Sequence, residues 1–231
     1  MIRSLHSELV DALPADHPAA IETRRDLRLI NTLMGHVGIL TRSLRKSFPN
    51  QQPSRILEIG AGDGDLLLRV ARRLPGEEKK VEVVFVDLHN LLTSQTKADF
   101  AALNWDIRLV QGDIFQCLSE TNGEKTDVVL ANLVLHHFSN SQLTDLFSVA
   151  AKKADAFIAI EPRRGAWSLF FAESLSLIGC GPVACHDAPL SVRAGFNGRD
   201  LSALWPRDDN WELLERRAGL FSHLFIARRK V

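Results

Sequence analysis

The stretch from Ile56 to Gly64 constrains the fold more than any other part of the chain. It reads Ile-Leu-Glu-Ile-Gly-Ala-Gly-Asp-Gly, an apolar strand that runs directly into a loop with glycine at every second position. A pattern typical of a helix, Asp-Leu-Leu-Leu-Arg-Val-Ala, follows at once. Glycine permits a sharp turn and lets a ligand approach the main chain without a Cβ in the way. Strand, glycine loop and helix start together predict a nucleotide-type cofactor site.

The spacing of the glycines argues against a dinucleotide site. A dinucleotide fingerprint has the form Gly-x-Gly-x-x-Gly, in which the third glycine follows the first by five residues. Counted from Gly60, that position is Asp65. Glu58 and Asp63 beside the loop would repel a pyrophosphate, although a helix N-terminus alone favours phosphate. The same carboxylates suit a cationic ligand.

This alternating pattern resembles motif I of the class I S-adenosylmethionine-dependent methyltransferases. The resemblance implies S-adenosylmethionine as cofactor, with S-adenosylhomocysteine as its product. It also implies that this loop supplies a first set of cofactor-binding residues: Glu58, Gly60, Ala61, Gly62, Asp63 and Gly64. A purely structural turn in another α/β protein is the alternative for the loop taken alone.

The ends of the second and third predicted strands carry further acidic residues. The apolar, β-branched stretch 81–87 is typical of a buried parallel strand and ends in Asp87. An acid there can accept hydrogen bonds from both ribose hydroxyls of an adenosine, whereas a helix cap is the alternative role. The adjacent Leu88 is expected at the same site. After the third strand, the resemblance implies that Asp113 binds the adenine amine and that Ile114 packs on the ring.

The fourth predicted strand ends in Asn-Leu-Val-Leu-His-His-Phe at residues 132–138. This stretch is similar to the fourth-strand motif of small-molecule methyltransferases, in particular those of ubiquinone and menaquinone synthesis. It lacks the prolines of the Asn-Pro-Pro-Tyr motif, which argues against an enzyme that flips a nucleic-acid base. The resemblance places Asn132, Leu133 and His137 at the cofactor.

Composition excludes several classes of function. The 231 residues suit a single domain, and 45% hydrophobic residues are enough for a full core. Lysine plus arginine equals aspartate plus glutamate at 28 each, so the chain lacks the basic field of a nucleic-acid-binding protein. Three cysteines form no disulfide framework, and no Cys/His spacing resembles a zinc site. We expect a small-molecule substrate, no nucleic-acid partner and no metal.

The same observations bear on location. The first residues include no long apolar run, so we expect no signal peptide. The apolar stretches of the chain are too short for a membrane span, so we expect none. Reduced cysteines are typical of the cytoplasm, where we expect the protein to act. The sequence leaves open whether the chain forms a homodimer.

Strands and helices alternate along the rest of the chain, which predicts one α/β domain over residues 1–231. The expected architecture is a doubly wound, mostly parallel seven-stranded sheet, with one antiparallel strand from a C-terminal hairpin and helices on both faces. Predicted strands lie near 55–60, 81–87, 106–110, 126–131, 155–161, 211–217 and 221–228. Predicted helices lie near 64–74, 90–102, 114–119, 140–153 and 165–178.

Residues 1–50 are predicted to form a helical N-terminal lid segment, with loose or short helical structure in the first 20 residues. Apolar residues then recur at three- and four-residue steps. Gly35 and Gly38 weaken this helix by about 1 kcal/mol each, so it either breaks there or packs closely against something. In small-molecule relatives this segment covers the acceptor pocket, which would place three residues at its wall: Asn31, Met34 and Gly35. Packing on the sheet edge or on a second subunit is the alternative.

Candidate catalytic residues lie past the strand ends and in one long predicted loop. His137 follows the fourth strand, whereas its neighbour His136 is expected to pack or cap. Glu161 ends the fifth strand and could act as a base or pair with Arg163. Residues 179–198, rich in glycine and proline, are predicted as a substrate-lid loop.

That predicted loop adds two further candidates. His186 beside Asp187 could act as a base, and Arg193 could bind a substrate carboxylate or phosphate. For each candidate, a packing or solvent-exposed structural role is the alternative.

Three functions are consistent with these patterns. The first is transfer of a methyl group to an oxygen, nitrogen or carbon of a small, fairly apolar or aromatic metabolite, free or carrier-bound. The second is a protein-modifying methyltransferase or partner-binding module on the same fold. The third is a nicotinamide oxidoreductase, against which Asp65 counts.

Overall fold

The structure is a computed structural model that describes residues 1–74, 79–120 and 125–230. Within these ranges seven strands form one sheet in the order β3-β2-β1-β4-β5-β7-β6. The strands are β1 (Arg55–Ile59), β2 (Val81–Asp87), β3 (Trp105–Gln111), β4 (Thr126–Asn132), β5 (Ala154–Pro162), β6 (Trp211–Ala218) and β7 (Ser222–Arg229). β1 to β5 pair in parallel, and β7 runs antiparallel to both β5 and β6. The predicted sheet, with its one reversed strand in a C-terminal hairpin, is confirmed.

The central strands are apolar throughout because both faces of the sheet are covered. On β5, Phe157 packs in one hydrophobic cluster and Ile158 in another, as expected for successive residues that point to opposite faces. The strand order reverses between β1 and β4. A ligand site in an open α/β sheet is expected outside the carboxyl ends of the strands at such a reversal.

Eight α-helices surround the sheet in the described part of the chain. They are α1 (Pro18–Leu33), α2 (His36–Ser47), α3 (Asp65–Ala71), α4 (Ser94–Ala101), α5 (Ile114–Glu120), α6 (Asn140–Lys153), α7 (Ala166–Glu173) and α8 (Pro182–Ala194). The predicted N-terminal helical segment breaks into α1 and α2 at Gly35, one of the two outcomes expected there, and this glycine adopts φ +71°. A positive φ is costly for other residues, so glycine is the residue that permits this break. None of the described helices combines the length and the apolar character required to cross a bilayer.

The expected loop at residues 179–198 is wrong, since most of it is the 13-residue helix α8. The glycines and prolines that suggested a loop instead mark the ends of the helix. Gly181 precedes the helix, Pro182 begins it, and Gly195 follows it. A Cβ on Gly195 would lie 2.2 Å from the carbonyl oxygen of Pro162, so glycine is needed there for close packing. Pro189 lies inside the helix, where proline is usually disfavoured.

The first 13 residues contain one short 3-10 turn, Val10–Ala12, and dock onto the domain. The Arg3 side chain donates to the Ala194 and Phe138 carbonyl oxygens, each at 2.7 Å, and lies over the Phe196 ring. The predicted short helical structure is therefore present, but the segment is tied to α8 rather than loose.

Candidate functional site

A cavity of about 340 Å³ lies at the carboxyl ends of β1, β2 and β4, where the strand order reverses. Its wall includes nine of the residues expected at the cofactor: Glu58, Gly60, Ala61, Gly62, Asp63, Asp87, Asn132, Leu133 and His137. Parallel strands bring their carboxyl ends to one edge of the sheet, so residues distant in sequence meet there. The volume lies within the range of small-molecule sites.

The glycine loop after β1 is held by the end of β2. The Gly62 N–H donates to Asp87 Oδ2 at 2.8 Å, and the His89 N–H donates to Asp87 Oδ1 at 3.0 Å. Gly60 and Gly62 both have positive φ, +68° and +58°. A Cβ on Gly60 would lie 2.7 Å from Val134 Cγ2, whereas a Cβ on Gly62 would have no heavy atom within 4 Å. Gly60 therefore permits close packing, and Gly62 leaves room beside the loop.

Glu58 is buried under this loop, and its Oε2 atom has no hydrogen-bond partner. Burial, together with the negative charges of Asp87 and Asp63, raises the pKa of Glu58 to about 8. A buried carboxyl group among other acids lacks a compensating positive charge. The residues present therefore fit a cationic ligand such as the sulfonium and amino groups of S-adenosylmethionine.

Helix α1 covers the cavity from above the glycine loop. Arg28 forms an ion pair with Asp63, and Asn132 Nδ2 donates to Asn31 Oδ1 at 3.3 Å. Asn31 and Met34 line the cavity as expected, but Gly35 does not and instead precedes α2. Helix α1 is therefore tied to the glycine loop and to the end of β4.

Glu161 is fully buried and organises the turn that follows β4. Its Oε1 accepts from the Val134 and Leu135 N–H groups at 3.0 and 2.8 Å, and its Oε2 lies 2.8 Å from His136 Nδ1. It therefore pairs with His136 and not, as the sequence suggested, with Arg163. Both Glu161 oxygens are engaged by the turn, and Glu161 is not among the residues of the cavity wall.

His136 and His137 lie at one end of the cavity with their ring centroids 4.3 Å apart. Burial alone would lower the pKa of His136, but its hydrogen bonds to Glu161 and Glu8 raise it to about 9. Burial and the neighbouring His136 charge lower the pKa of His137. His136 is thus a cation near neutral pH, whereas His137 is a neutral imidazole that can accept a proton.

Two acidic residues from the N-terminal segment face these histidines. Glu8 Oε1 lies 3.4 Å from His136 Nε2, and Glu8 Oε2 lies 4.0 Å from His137 Nε2. Asp11 Oδ2 lies 3.6 Å from His137 Nδ1. We call Glu8, Asp11, His136 and His137 the acidic end of the cavity. Sequence analysis missed Glu8 and Asp11, since no motif or periodicity marks them.

One atom each from Glu8, His136 and His137 lies within 4.8 Å of the others, a spacing at which a metal ion could be held. Among the described residues these side chains already contact one another as carboxylate–imidazole pairs, and Glu8 also accepts from Ser191. The contacts describe the cluster as two carboxylate–imidazole pairs, with nitrogen–oxygen distances of 3.4 and 4.0 Å.

The rest of the cavity wall is largely apolar and comes from four elements outside the cofactor motifs. α1, α7, α8 and the turn before β7 contribute Leu27, Ile30, Met34, Phe171, Ala172, Ala188, Val192 and Phe221. Phe171 and Phe221 stack with their centroids 4.2 Å apart. The cavity therefore joins a polar side at the strand ends to an apolar chamber.

Two candidate catalytic residues do not line the cavity. The His186 side chain is 51% exposed and contacts the adjacent Asp187, with Nδ1 2.8 Å from Oδ1. Asp187 itself accepts from the Leu9 and Val10 N–H groups at 2.8 and 3.0 Å. Arg193 pairs with Glu173 at 3.7 Å. Because α8 is a helix, its outward face carries His186 and Arg193 away from the chamber.

Four of the expected cofactor residues also lie outside the cavity wall. Asp113 Oδ1 caps α5 by accepting from the Phe115 N–H at 2.9 Å, and Ile114 is buried in the core. Leu88 is 61% exposed, and Gly64 precedes α3 with φ +75°. Leu91, which sequence analysis did not select, lines the cavity instead.

Comparison with known proteins relates both the sequence and the fold to methyltransferases. Residues 56–153 match the family described as "Methyltransferase domain". An uncharacterized methyltransferase of Mycobacterium bovis is 30% identical over 132 residues, which span 54% of this chain and 59% of that protein. A Mycobacterium tuberculosis protein described in the same words gives the same figures. The chain thus matches less than two thirds of these relatives' length.

Solved structures share the fold at low sequence identity. The plantazolicin methyltransferase BamL, bound to a triazolic desmethylPZN analog and S-adenosylhomocysteine, has a TM-score of 0.66 and 15% identity, covering 96% of this chain and 93% of its own. Magnesium protoporphyrin IX methyltransferase from Synechocystis, with bound S-adenosylmethionine, has a TM-score of 0.57 and 14% identity, covering 90% and 84%. These similarities extend over nearly the whole chain.

Proposed function

We propose that this chain is a class I S-adenosylmethionine-dependent methyltransferase that methylates a small, fairly apolar or aromatic metabolite, since residues 56–153 match a methyltransferase domain and solved methyltransferases share its fold. The observation that carries the proposal is the cavity, which joins the glycine loop and buried Glu58 to an apolar chamber. When bound, S-adenosylmethionine supplies an activated methyl group on a cationic sulfur. The acceptor atom is an oxygen, nitrogen or carbon.

Residues of the glycine loop and strand ends would hold the cofactor. Asp87, which already orients the loop through Gly62, would accept from ribose hydroxyls, as acids at the end of the second strand do in this fold class. Glu58 and Asp63 would face the cationic part. S-adenosylmethionine- and S-adenosylhomocysteine-bound neighbours with the same fold support this assignment.

His137 is the residue we propose as proton acceptor. It lines the cavity, it is only partly buried, and its lowered pKa keeps the imidazole neutral. Most of the protein's contribution is alignment of the acceptor with the methyl group, which can supply about 7–11 kcal/mol of the barrier reduction. We further propose that α1 and residues 1–13 act as the lid over the acceptor.

A protein substrate is the alternative that the structure favours less. The N-terminal segment and α1 lie over the cavity, and such a chamber suits a small molecule better than an extended polypeptide.

The charge and the cysteines support two further proposals. Because the net charge is zero, we propose that the protein has no nucleic-acid partner. Because its three cysteines are free, we propose that it acts in the cytoplasm.

Calorimetric titration tests the proposal directly. The purified chain is titrated with S-adenosylmethionine and S-adenosylhomocysteine, and NADH serves as the control. We expect saturable binding of both sulfur ligands and none of NADH. A chain that binds neither sulfur ligand would contradict the proposed activity, and binding of NADH instead would favour an oxidoreductase.

A further inference from the structure

We infer that the acceptor is an apolar molecule bearing a hydroxyl or amine donor, and that Glu8 and Asp11 select it over anionic acceptors. The inference rests on the proposed function and names the substrate class of the same cavity. It differs from the expectation from sequence that Arg193 binds a carboxylate or phosphate, because Arg193 lies outside the cavity wall and pairs with Glu173.

The acidic end is the polar boundary of the apolar chamber. Glu8 is held in place by Ser191, which donates to Oε1, and by His136 at 3.4 Å. Asp11, whose side chain is 56% exposed, lies near the mouth and faces His137. The segment that carries both acids is fixed on α8, where Asp187 accepts from the Leu9 and Val10 N–H groups.

The cationic side chains that line the cavity are already paired, so they would not attract an anionic acceptor against the repulsion of Glu8 and Asp11. The His136 imidazolium lies between Glu161 and Glu8, so its charge is already compensated. Both arginines among the described wall residues lie on α1 and are engaged elsewhere. Arg28 pairs with Asp63, and Arg24 donates to the Ala15 carbonyl oxygen at 2.6 Å.

This charge distribution separates acceptor classes. A carboxylate or phosphate at the acidic end would face Glu8 and Asp11, and juxtaposed like charges disfavour binding. A hydroxyl or amine can instead donate a charge-assisted hydrogen bond to either carboxylate. The apolar body would occupy the chamber formed by α1, α7 and α8.

The same arrangement accommodates the proton that leaves the acceptor. The lone pair of the acceptor oxygen or nitrogen forms the new bond to the methyl carbon. The carbon–sulfur bond breaks, and its electron pair remains on sulfur, which becomes neutral. The acceptor proton passes to His137, which becomes a cation 4.0 Å from Glu8 and 3.6 Å from Asp11. Glu8 and Asp11 thus act through His137 as well as on the acceptor.

Three probes that share one apolar body test the inference: p-butylphenol, p-butylaniline and p-butylbenzoate. Their binding is measured by calorimetry on the full chain saturated with S-adenosylhomocysteine. We expect the phenol and the aniline to bind at least about tenfold more tightly than the benzoate. In the double variant Glu8→Gln/Asp11→Asn that preference should largely disappear. The matched control is Asp16→Asn, an exposed acid between the docked segment and α1 and outside the cavity wall, which should leave the preference unchanged.

The outcomes separate this inference from the proposed function. Failure to bind S-adenosylhomocysteine overturns the proposed function. If that ligand binds but benzoate binds as tightly as the other probes, or neither phenol nor aniline binds, the inference is wrong and the proposed function stands. If the preference for the phenol and the aniline is lost after dialysis against EDTA and returns when Zn²⁺ is added, a metal site explains it and the inference is wrong. The comparison on the native protein needs no variant, so misfolding of the double variant cannot obscure it.

Discussion

His136 Nδ1 lies 2.8 Å from Glu161 Oε2, and both side chains are buried beside the cavity. Glu161 also accepts from the N–H groups of Val134 and Leu135, so one carboxylate orders the whole turn after β4. That turn carries His137, the proposed proton acceptor. The pair therefore links the end of β5 to the position of a functional side chain.

Glu161→Gln should lower the free energy of unfolding by about 3–5 kcal/mol, because it removes the closer of the two carboxylates that compensate the buried His136 cation. Urea unfolding monitored by circular dichroism measures the change. The matched control is Glu212→Gln, which removes an exposed ion pair with Arg228 and should change stability by no more than about 0.5 kcal/mol. A Glu161→Gln variant that keeps full stability but loses all activity would show instead that Glu161 acts in the chemistry.

The stability of the protein should fall as pH rises from 6.5 to about 9. The pKa of His136 is raised from 6.5 to about 9 by Glu161 and Glu8, which outweigh burial, so the folded state holds a proton that the unfolded state releases. This contribution is complete below pH 6.5 and is lost as the pH passes through about 9. The expected decrease is on the order of 2–3 kcal/mol. Glu58, whose pKa is raised to about 8, adds a separate decrease below that pH, because its folded state also holds a proton that the unfolded state releases. Urea unfolding across this window measures the change, and His136→Gln should make the decrease smaller, most clearly above pH 8, where Glu58 contributes little.

Asp87→Ala should weaken binding of S-adenosylmethionine by about 1–3 kcal/mol, the usual scale for hydrogen bonds to a charged group. The carboxylate holds the Gly62 N–H at 2.8 Å, so the variant loses both a proposed ribose acceptor and the support of the loop. Calorimetry measures the affinity. Asp99→Ala, which removes an acid paired with Arg72 outside the cavity wall, is the control and should bind normally. Unchanged binding in Asp87→Ala would refute the assignment of Asp87 to the cofactor.

The two glycines of the loop should respond differently to alanine. Gly60→Ala places a Cβ 2.7 Å from Val134 Cγ2 and should destabilise the fold by more than about 1 kcal/mol. Gly62→Ala meets no heavy atom within 4 Å, so only its positive φ opposes it, at a cost of about 1 kcal/mol. In Gly62→Ala the added Cβ would occupy the open space beside the loop, so this variant should bind the cofactor more weakly. Thermal unfolding and calorimetry on both variants measure these effects, and equal stabilities would contradict this account of Gly60.

The strand-end residues could be predicted because the information is local. An apolar strand followed by Gly60 and Gly62, or by Asp87, is visible within a few residues, and parallel pairing brings such ends together. The break at Gly35 was one of two anticipated outcomes, since glycine weakens a helix wherever it stands. All of these predictions depend on properties of single segments.

The acidic end could not be predicted for the opposite reason. Glu8 reaches the cavity only because Arg3 and Asp187 fix the N-terminal segment on α8, and these contacts join residues more than 170 positions apart. The helix α8 was mistaken for a loop because Pro189 lies inside it. Asp113 caps α5 by accepting from the Phe115 N–H, and its expected contact with adenine stays a prediction. The position of the acids and the formation of α8 were thus decided by tertiary packing that no local pattern reports.

The affinity for S-adenosylmethionine relative to S-adenosylhomocysteine should rise with pH through about 8. Burial and the charges of Asp87 and Asp63 raise the pKa of Glu58 to about 8, so below that value the carboxyl group is mostly neutral. A cationic ligand favours the ionised form, and binding should release a proton from Glu58. Both ligands share the amino group, but only S-adenosylmethionine has the sulfonium. The ratio of the two affinities therefore reports the contribution of the sulfonium charge to binding.

Calorimetric titrations of both ligands at several pH values on either side of 8 measure that ratio. In Glu58→Gln, whose side chain cannot ionise, the ratio should be independent of pH in this range. Asp65→Asn is the matched control, since Asp65 also lines the cavity but pairs with Arg69, and it should keep the pH dependence of the native protein. A ratio that stays constant in the native protein, or that changes equally in Glu58→Gln, would mean that Glu58 does not face the sulfonium.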